Sequence, residues 1–99
     1  MTQPATWQDI LQKDAPELFK VVNGARESVL TDGALSVKVK TLMTMLCDAL
    51  LAHPDGVANI ANRARAAGAT EEEIAETVGV AFLFGGMPAL VTGANAFKR

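Results

Sequence analysis

Residues Ala66–Val91 read AAGATEEEIAETVGVAFLFGGMPALV, a run that holds a helix end, a second helix and a corner. Gly68 supplies the left-handed residue that follows the end of a helix. Thr70 with Glu73 is a capping box, in which hydroxyl and carboxylate each satisfy an orphan amide of the next helix. Gly85-Gly86 with Pro88 break that helix again. Between the breaks, Val78 to Phe84 is apolar with almost no polar side. A helix apolar all round is buried, either in a large core or between subunits. A chain of 99 residues can hardly enclose one by itself, so the segment predicts a homo-oligomer.

Working outward, every strong local signal is helical. Trp7, Ile10 and Leu11 fall at i, i+3 and i+4 and predict a short first helix. Asp14 is the expected N-cap of a second, with Pro16 and Glu17 in its first turn, running through Leu18, Phe19, Val22, Ala25 and Val29. Gly24 weakens its middle, which points to a close helix contact there. Asp32-Gly33 turns the chain out. Ser36 then caps a third helix from Val37 to about Ala52, with Leu42, Met45, Leu46, Ala49 and Leu50 as its apolar stripe. His53-Pro54 ends it, because the residue before proline is pushed out of helical geometry. Pro54 opens a fourth helix through Val57, Ile60, Ala61 and Ala64 to Ala67, with Asp55 at its cap or in the preceding turn. A sixth helix follows the corner, from about Ala89 to Phe97. Val78–Phe82 has strand-like composition but continues a capped helical pattern. The expectation is one all-α domain over residues 1–99, a compact bundle of about six helices.

Composition narrows the function classes. The chain is 49% hydrophobic with a net charge of −2 and scattered basic residues, which gives no footprint for nucleic acid. Asp48 and His53 interrupt the longest apolar run identified, so no membrane span is expected. The start, MTQPATWQDILQKDAPE, shows no basic-then-apolar leader pattern, and a cytoplasmic location is the default. One cysteine, Cys47, allows no internal disulfide. One histidine and scattered carboxylates lack metal-ligand spacing, so no metal or cofactor is expected. Glu71, Glu72, Glu73 and Glu76 read as a solvated helix start, and Met43, Met45 and Met87 as core filler.

The phrases LSVKVKTLMTM, ARAAGATEEEI and AFLFGGMPALVTGANAF, in that order, resemble the carboxymuconolactone decarboxylase and alkylhydroperoxidase D-like family over roughly Leu35 to Phe97. The Ala67–Ile74 phrase and the Gly85–Ala89 corner are moderately specific together and weak separately. The resemblance implies an all-helical fold assembled as a trimer, or as a hexamer of two such rings. For redox members it also implies a Glu, a Cys-x-x-Cys pair and a His. In that set a thiolate attacks peroxide, the second Cys resolves the sulfenic acid, and Glu and His move protons. Counted from Gly68, the two Cys positions fall on His53 and Gly56, the His position on Ile60 and the Glu position on Thr41. All four residue types differ, and the decarboxylase-type members keep a His where Ile60 stands. The standard dithiol chemistry is therefore excluded.

Three readings stay open. In the first, a divergent member binds or acts on a small molecule in a subunit-interface pocket. His53 and Asp48 are its polar groups, with Arg63 or Arg65 a partner for Asp48; the alternatives are His53 as a helix C-cap in the His-Pro-Asp-Gly turn and Asp48 as an exposed position on an amphipathic helix. The second is a non-catalytic oligomeric scaffold. The third is a one-cysteine peroxidase using Cys47, although the apolar neighbours of Cys47 favour a buried, inert thiol. The residues leave open whether any catalysis survives.

Overall fold

In a computed structural model, the described residues are 5–98; Met1–Pro4, where the stretch read for a leader begins, and Arg99 lie outside them. Among the described residues there is no strand. The helices are α1 (Trp7–Asp14), α2 (Pro16–Val29), α3 (Val37–Leu50), α4 (Pro54–Ala66) and α5 (Glu71–Gly93), followed by a 3-10 turn over Ala94–Phe97. They fall into two compact units, Met1–Thr31 and Asp32–Arg99.

The first unit is a helical hairpin. Thr6 and Asp9 form a reciprocal capping box at the start of α1. Asp14 does not cap α2 as expected: α1 runs on to include it, the Ala15 amide bonds Leu11 O at 2.7 Å, and Ala15 is the N-cap position with no side-chain bond. Pro16 tolerates this, having no amide of its own to satisfy. The Arg26 guanidinium lies 5.1 Å from the Trp7 ring centre, joining the two helices by a cation–π contact. Neither helix has a fully buried residue. At Gly24 the expected close contact is absent, since a methyl group there would meet nothing within 4 Å.

The second unit holds the core. Ser36 Oγ accepts the Val39 amide and Asp32 Oδ1 accepts the Val37 amide at 2.8 Å, so α3 starts with two orphan donors satisfied. Thr70 and Glu73 form the expected capping box at α5. Met45 and Ala49 of α3 pack with Val57, Ala61 and Ala64 of α4, with Ile74, Val78, Ala81 and Ala89 of α5, and with Ala69 and Ala96. Alanine dominates this list, so the helices approach closely. Lys38 Nζ meets Glu73 Oε2 at 2.9 Å, tying α3 to α5. Arg65 binds Glu71 through two nitrogens and reaches Ala96 O at 2.8 Å, holding the C-terminal turn.

Both α3 and α4 end in a Schellman motif. For α4 the left-handed residue is Gly68, with φ +99, and Ala69 N–H reaches Ala64 O at 2.8 Å. For α3 it is Ala52, with φ +62, and His53 N–H reaches Asp48 O at 2.9 Å. A left-handed alanine costs about 1–2 kcal/mol, more than the roughly 0.4–1 kcal/mol of unfolded-chain entropy that glycine adds. Ala52→Gly is therefore expected to raise Tm by a few degrees. Gly68→Ala is expected to lower it, and thermal melts followed by circular dichroism check both.

Glu73 carries a pH signature. The Thr70 amide, and then the Lys38 ammonium, hold its carboxyl below the usual glutamate range. A depressed folded-state value contributes stability at neutral pH that is lost as pH falls through that value. Glu73→Gln keeps a capping acceptor. Its Tm is expected to lie below wild type at neutral pH, and the gap to close below about pH 4, measured by melts across pH.

α5 is bent. Gly86 has φ 71 and ψ −160, a conformation only glycine adopts readily. Beyond it the chain returns on itself: a methyl group at Gly93 would lie 3.0 Å from Val78 Cγ1. The expected sixth helix is this returning arm, finished by the 3-10 turn. One expectation needs correction here. By length and composition the Glu71–Phe97 stretch is apolar enough to cross a membrane; the uncharged run from Thr77 to Phe97 is longer than the one interrupted by Asp48. It opens on three glutamates, bends at Gly86 and sends Ile74, Val78, Ala81 and Ala89 into the core, while most of its apolar length stays exposed in the single chain. Within the single chain, burial of Val78–Phe84 is one-sided: Val78 and Ala81 are buried, while Val80, Phe82, Leu83 and Phe84 are exposed.

Candidate functional site

The end of α3 brings two of the candidate residues together. In a Schellman motif the side chains at the third-last helical position and two past the cap lie near each other, usually as an apolar pair. Here those positions carry Asp48 and His53. His53 Nδ1 and Asp48 Oδ1 are 2.9 Å apart, with side-chain exposures of 56% and 22%. A carboxylate only accepts hydrogen bonds, so in the neutral ring Nδ1 carries the proton and donates it. The Nε2 lone pair is then free to accept a proton or a hydrogen bond. The side-chain partner of Asp48 is thus His53 rather than Arg63 or Arg65, the latter being committed to Glu71, Asn62 and Ala96.

A second contact fixes the carboxylate. A methyl group at Gly56, in the first turn of α4, would lie 2.7 Å from Asp48 Oδ2 and 2.9 Å from its Cγ. The Asp48 carboxylate therefore lies directly on the glycine backbone, near the positive end of α4. His53 is the N-cap position of α4 but gives it no side-chain bond, and Asp55 lies inside the first turn instead of capping it. The His53 ring is turned to Asp48. Nearby, a methyl group at Gly85 would lie 2.8 Å from Leu50 Cδ2, so the end of α3 packs on the α5 corner. The exposed apolar residues Leu51, Leu83, Phe84 and Met87 belong to these same two segments.

Other candidates fare differently. Cys47 is exposed, not buried as its neighbours implied. Helix geometry supplies the reason: Met45 and Ala49 face the core, and Cys47, about 200° round from Met45, faces away. No hydrogen bond or ion pair reaches its sulfur among the described residues. Met45 is core, whereas Met43 and Met87 are exposed. Thr41 donates its hydroxyl to Val37 O at 2.7 Å within its own helix. Ile60 is half-buried against the core. Among the described residues no group of three His, Cys, Asp or Glu side chains could hold a metal ion.

Fold and site together define a class: a small all-α protein whose polar pair sits between a left-handed helix end and the next helix. The model of the carboxymuconolactone decarboxylase family matches residues 16–99, and the chain belongs to that family. Its backbone is similar to a carboxymuconolactone decarboxylase family protein from Legionella pneumophila, crystallised in the apo form. The TM-score is 0.84 at 31% identity, over 89% of this chain and 79% of that one. It is also similar to a Burkholderia xenovorans protein assigned to the carboxymuconolactone decarboxylases, with TM-score 0.87 at 27% identity, over 96% of this chain and 75% of that one. An uncharacterised protein of Methanocaldococcus jannaschii is 26% identical over 93 residues, 94% of this chain and 87% of its own length.

Proposed function

We propose that this protein is a cytoplasmic homo-oligomer that binds or transforms a small molecule in a pocket at a subunit edge, with the Asp48–His53 pair as its polar end. The observation that carries the reading is the 2.9 Å contact between His53 Nδ1 and Asp48 Oδ1. The two family cysteine positions hold His53 and Gly56, and Asp48 occupies the space between them. Proton transfer or hydrogen bonding through Nε2 replaces dithiol chemistry. The apolar residues of the adjoining corner favour a ligand with an apolar body and one acidic or hydroxyl group. No nucleic acid, membrane, metal or cofactor enters this reading.

The test is a thermal-shift screen of small carboxylic acids and lactones on wild type and His53→Ala. A ligand at about a hundred times its Kd stabilises by roughly 2.7 kcal/mol, enough to shift Tm by more than about 10 °C. At least one compound is expected to shift wild type and leave His53→Ala unmoved, with the assembly intact in both. No shift across the panel overturns the proposal in favour of a scaffold; an equal shift in both proteins removes His53 from it.

The exposure of Cys47 supports a second reading, a one-cysteine peroxidase. The thiolate attacks hydrogen peroxide, forming cysteine sulfenic acid and hydroxide, and two equivalents of a small thiol return it to the thiol with loss of water. Thiol-dependent peroxide consumption that disappears in Cys47→Ser supports it; its absence ends it.

A further inference from the structure

We infer that Gly56 is a positioning residue: by leaving room for the Asp48 carboxylate against the first turn of α4, it holds His53 with the proton on Nδ1 and Nε2 directed away from Asp48. This rests on the Asp48–His53 reading above and adds to it the residue that sets the geometry.

Glycine at position 56 has no local justification. It lies inside α4 without the positive φ that marks Gly68 and Gly86, and glycine is a poor helix former. What it does have is a close neighbour on another helix. A methyl group there would stand 2.7, 2.9 and 3.2 Å from Oδ2, Cγ and Oδ1 of Asp48, so the whole carboxylate would have to swing aside. Gly24 and Gly79, also within helices, would meet nothing within 4 Å. Asp48 has a short side chain, and the same carboxylate accepts the His53 Nδ1 proton. Displacing it from Gly56 moves it from the imidazole as well. The free ring in water favours the proton on Nε2, so the Nδ1–H form reports the contact.

His53 is the only histidine of the chain, so its ring signals need no assignment by mutagenesis. The experiment records ring nitrogen chemical shifts of the intact protein by long-range proton–nitrogen NMR at about pH 9, well above the ordinary imidazole range. Wild type is expected to show mainly the Nδ1–H tautomer. Gly56→Ala and Asp48→Ala are expected to revert to mainly Nε2–H, and Gly24→Ala to match wild type. Gly56→Ala with the Nδ1–H form retained overturns the inference, as does wild type in the Nε2–H form.

A double-mutant cycle on Tm covers the case in which Gly56→Ala folds poorly. Gly56→Ala is expected to lower Tm in wild type and to leave it unchanged or raised in the Asp48→Ala background. An equal loss in both backgrounds overturns the inference. The outcomes also separate the two proposals: an Nδ1–H tautomer with no ligand in the thermal-shift screen leaves Gly56 in place and removes the binding function.

Discussion

Replacing Leu83 and Phe84 together by aspartate is expected to turn the proposed homo-oligomer into monomers, read as molar mass by light scattering. Leu83 is 73% exposed and Phe84 80% exposed in the single chain, and Val80, Met87 and Val91 are exposed with them. From Thr77 to Phe97 there is no charged residue. A surface of this kind is uncommon on a monomer and marks a contact site. Closed assemblies reuse one patch in every copy, so an uncharged apolar face suits a second copy of the same chain. Burying a leucine or phenylalanine is worth roughly 1.5–3 kcal/mol each, and every copy contributes both. Aspartate removes that gain and places an unpaired charge in the contact, which costs more than the lost apolar area. Since neither side chain belongs to the intrachain core, helical circular dichroism is expected to remain. The wild-type mass distinguishes trimer from hexamer, and a monomeric wild type refutes the assembly.

The same residues show how much of this protein was legible before its fold. Helix starts were read well where a side chain closes an amide close by: Ser36, and Thr70 with Glu73, act locally and so leave a local pattern. Gly68 was legible because glycine marks a left-handed helix end. Ala52 makes the same turn and was invisible, since alanine carries no signal for it. That blind spot hid the contact between His53 and Asp48, both already candidates, because the left-handed Ala52 is what returns one to the other. Their separation of five residues fits no helical repeat and becomes a contact only across the end of α3. In the sequence Gly56 stands out only for the cysteine it lacks; its close approach to Asp48 is a relation between helices. Cys47 was misplaced by its apolar neighbours, although the Met45–Ala49 stripe already put it on the far side of α3. Asp14 has the right type for a cap, and the extension of α1 through it decided otherwise.

Gly85→Ala is expected to lower Tm by roughly 10 °C, whereas Gly79→Ala in the same helix is expected to raise it by several degrees. Alanine is favoured over glycine inside a helix by about 1 kcal/mol, and at Gly79 nothing opposes that gain, because a methyl group there would meet nothing within 4 Å. At Gly85 the same methyl would lie 2.5 Å from Ala89 Cβ and 2.8 Å from Leu50 Cδ2. The leucine terminus can rotate. Ala89 Cβ is fixed to the backbone of the returning arm and is itself buried, so the arm must move. Overpacking of this kind costs about 1–3 kcal/mol, occasionally more. Here it also disturbs the seat of Gly93 on Val78. A net loss of about 2 kcal/mol, at about 4–8 °C per kcal/mol for a domain of this size, gives the expected fall. Melts of the two variants beside wild type decide it. If Gly85→Ala is as stable as Gly79→Ala, the corner is looser than its contacts imply, and Leu50 does not lock the end of α3 against α5.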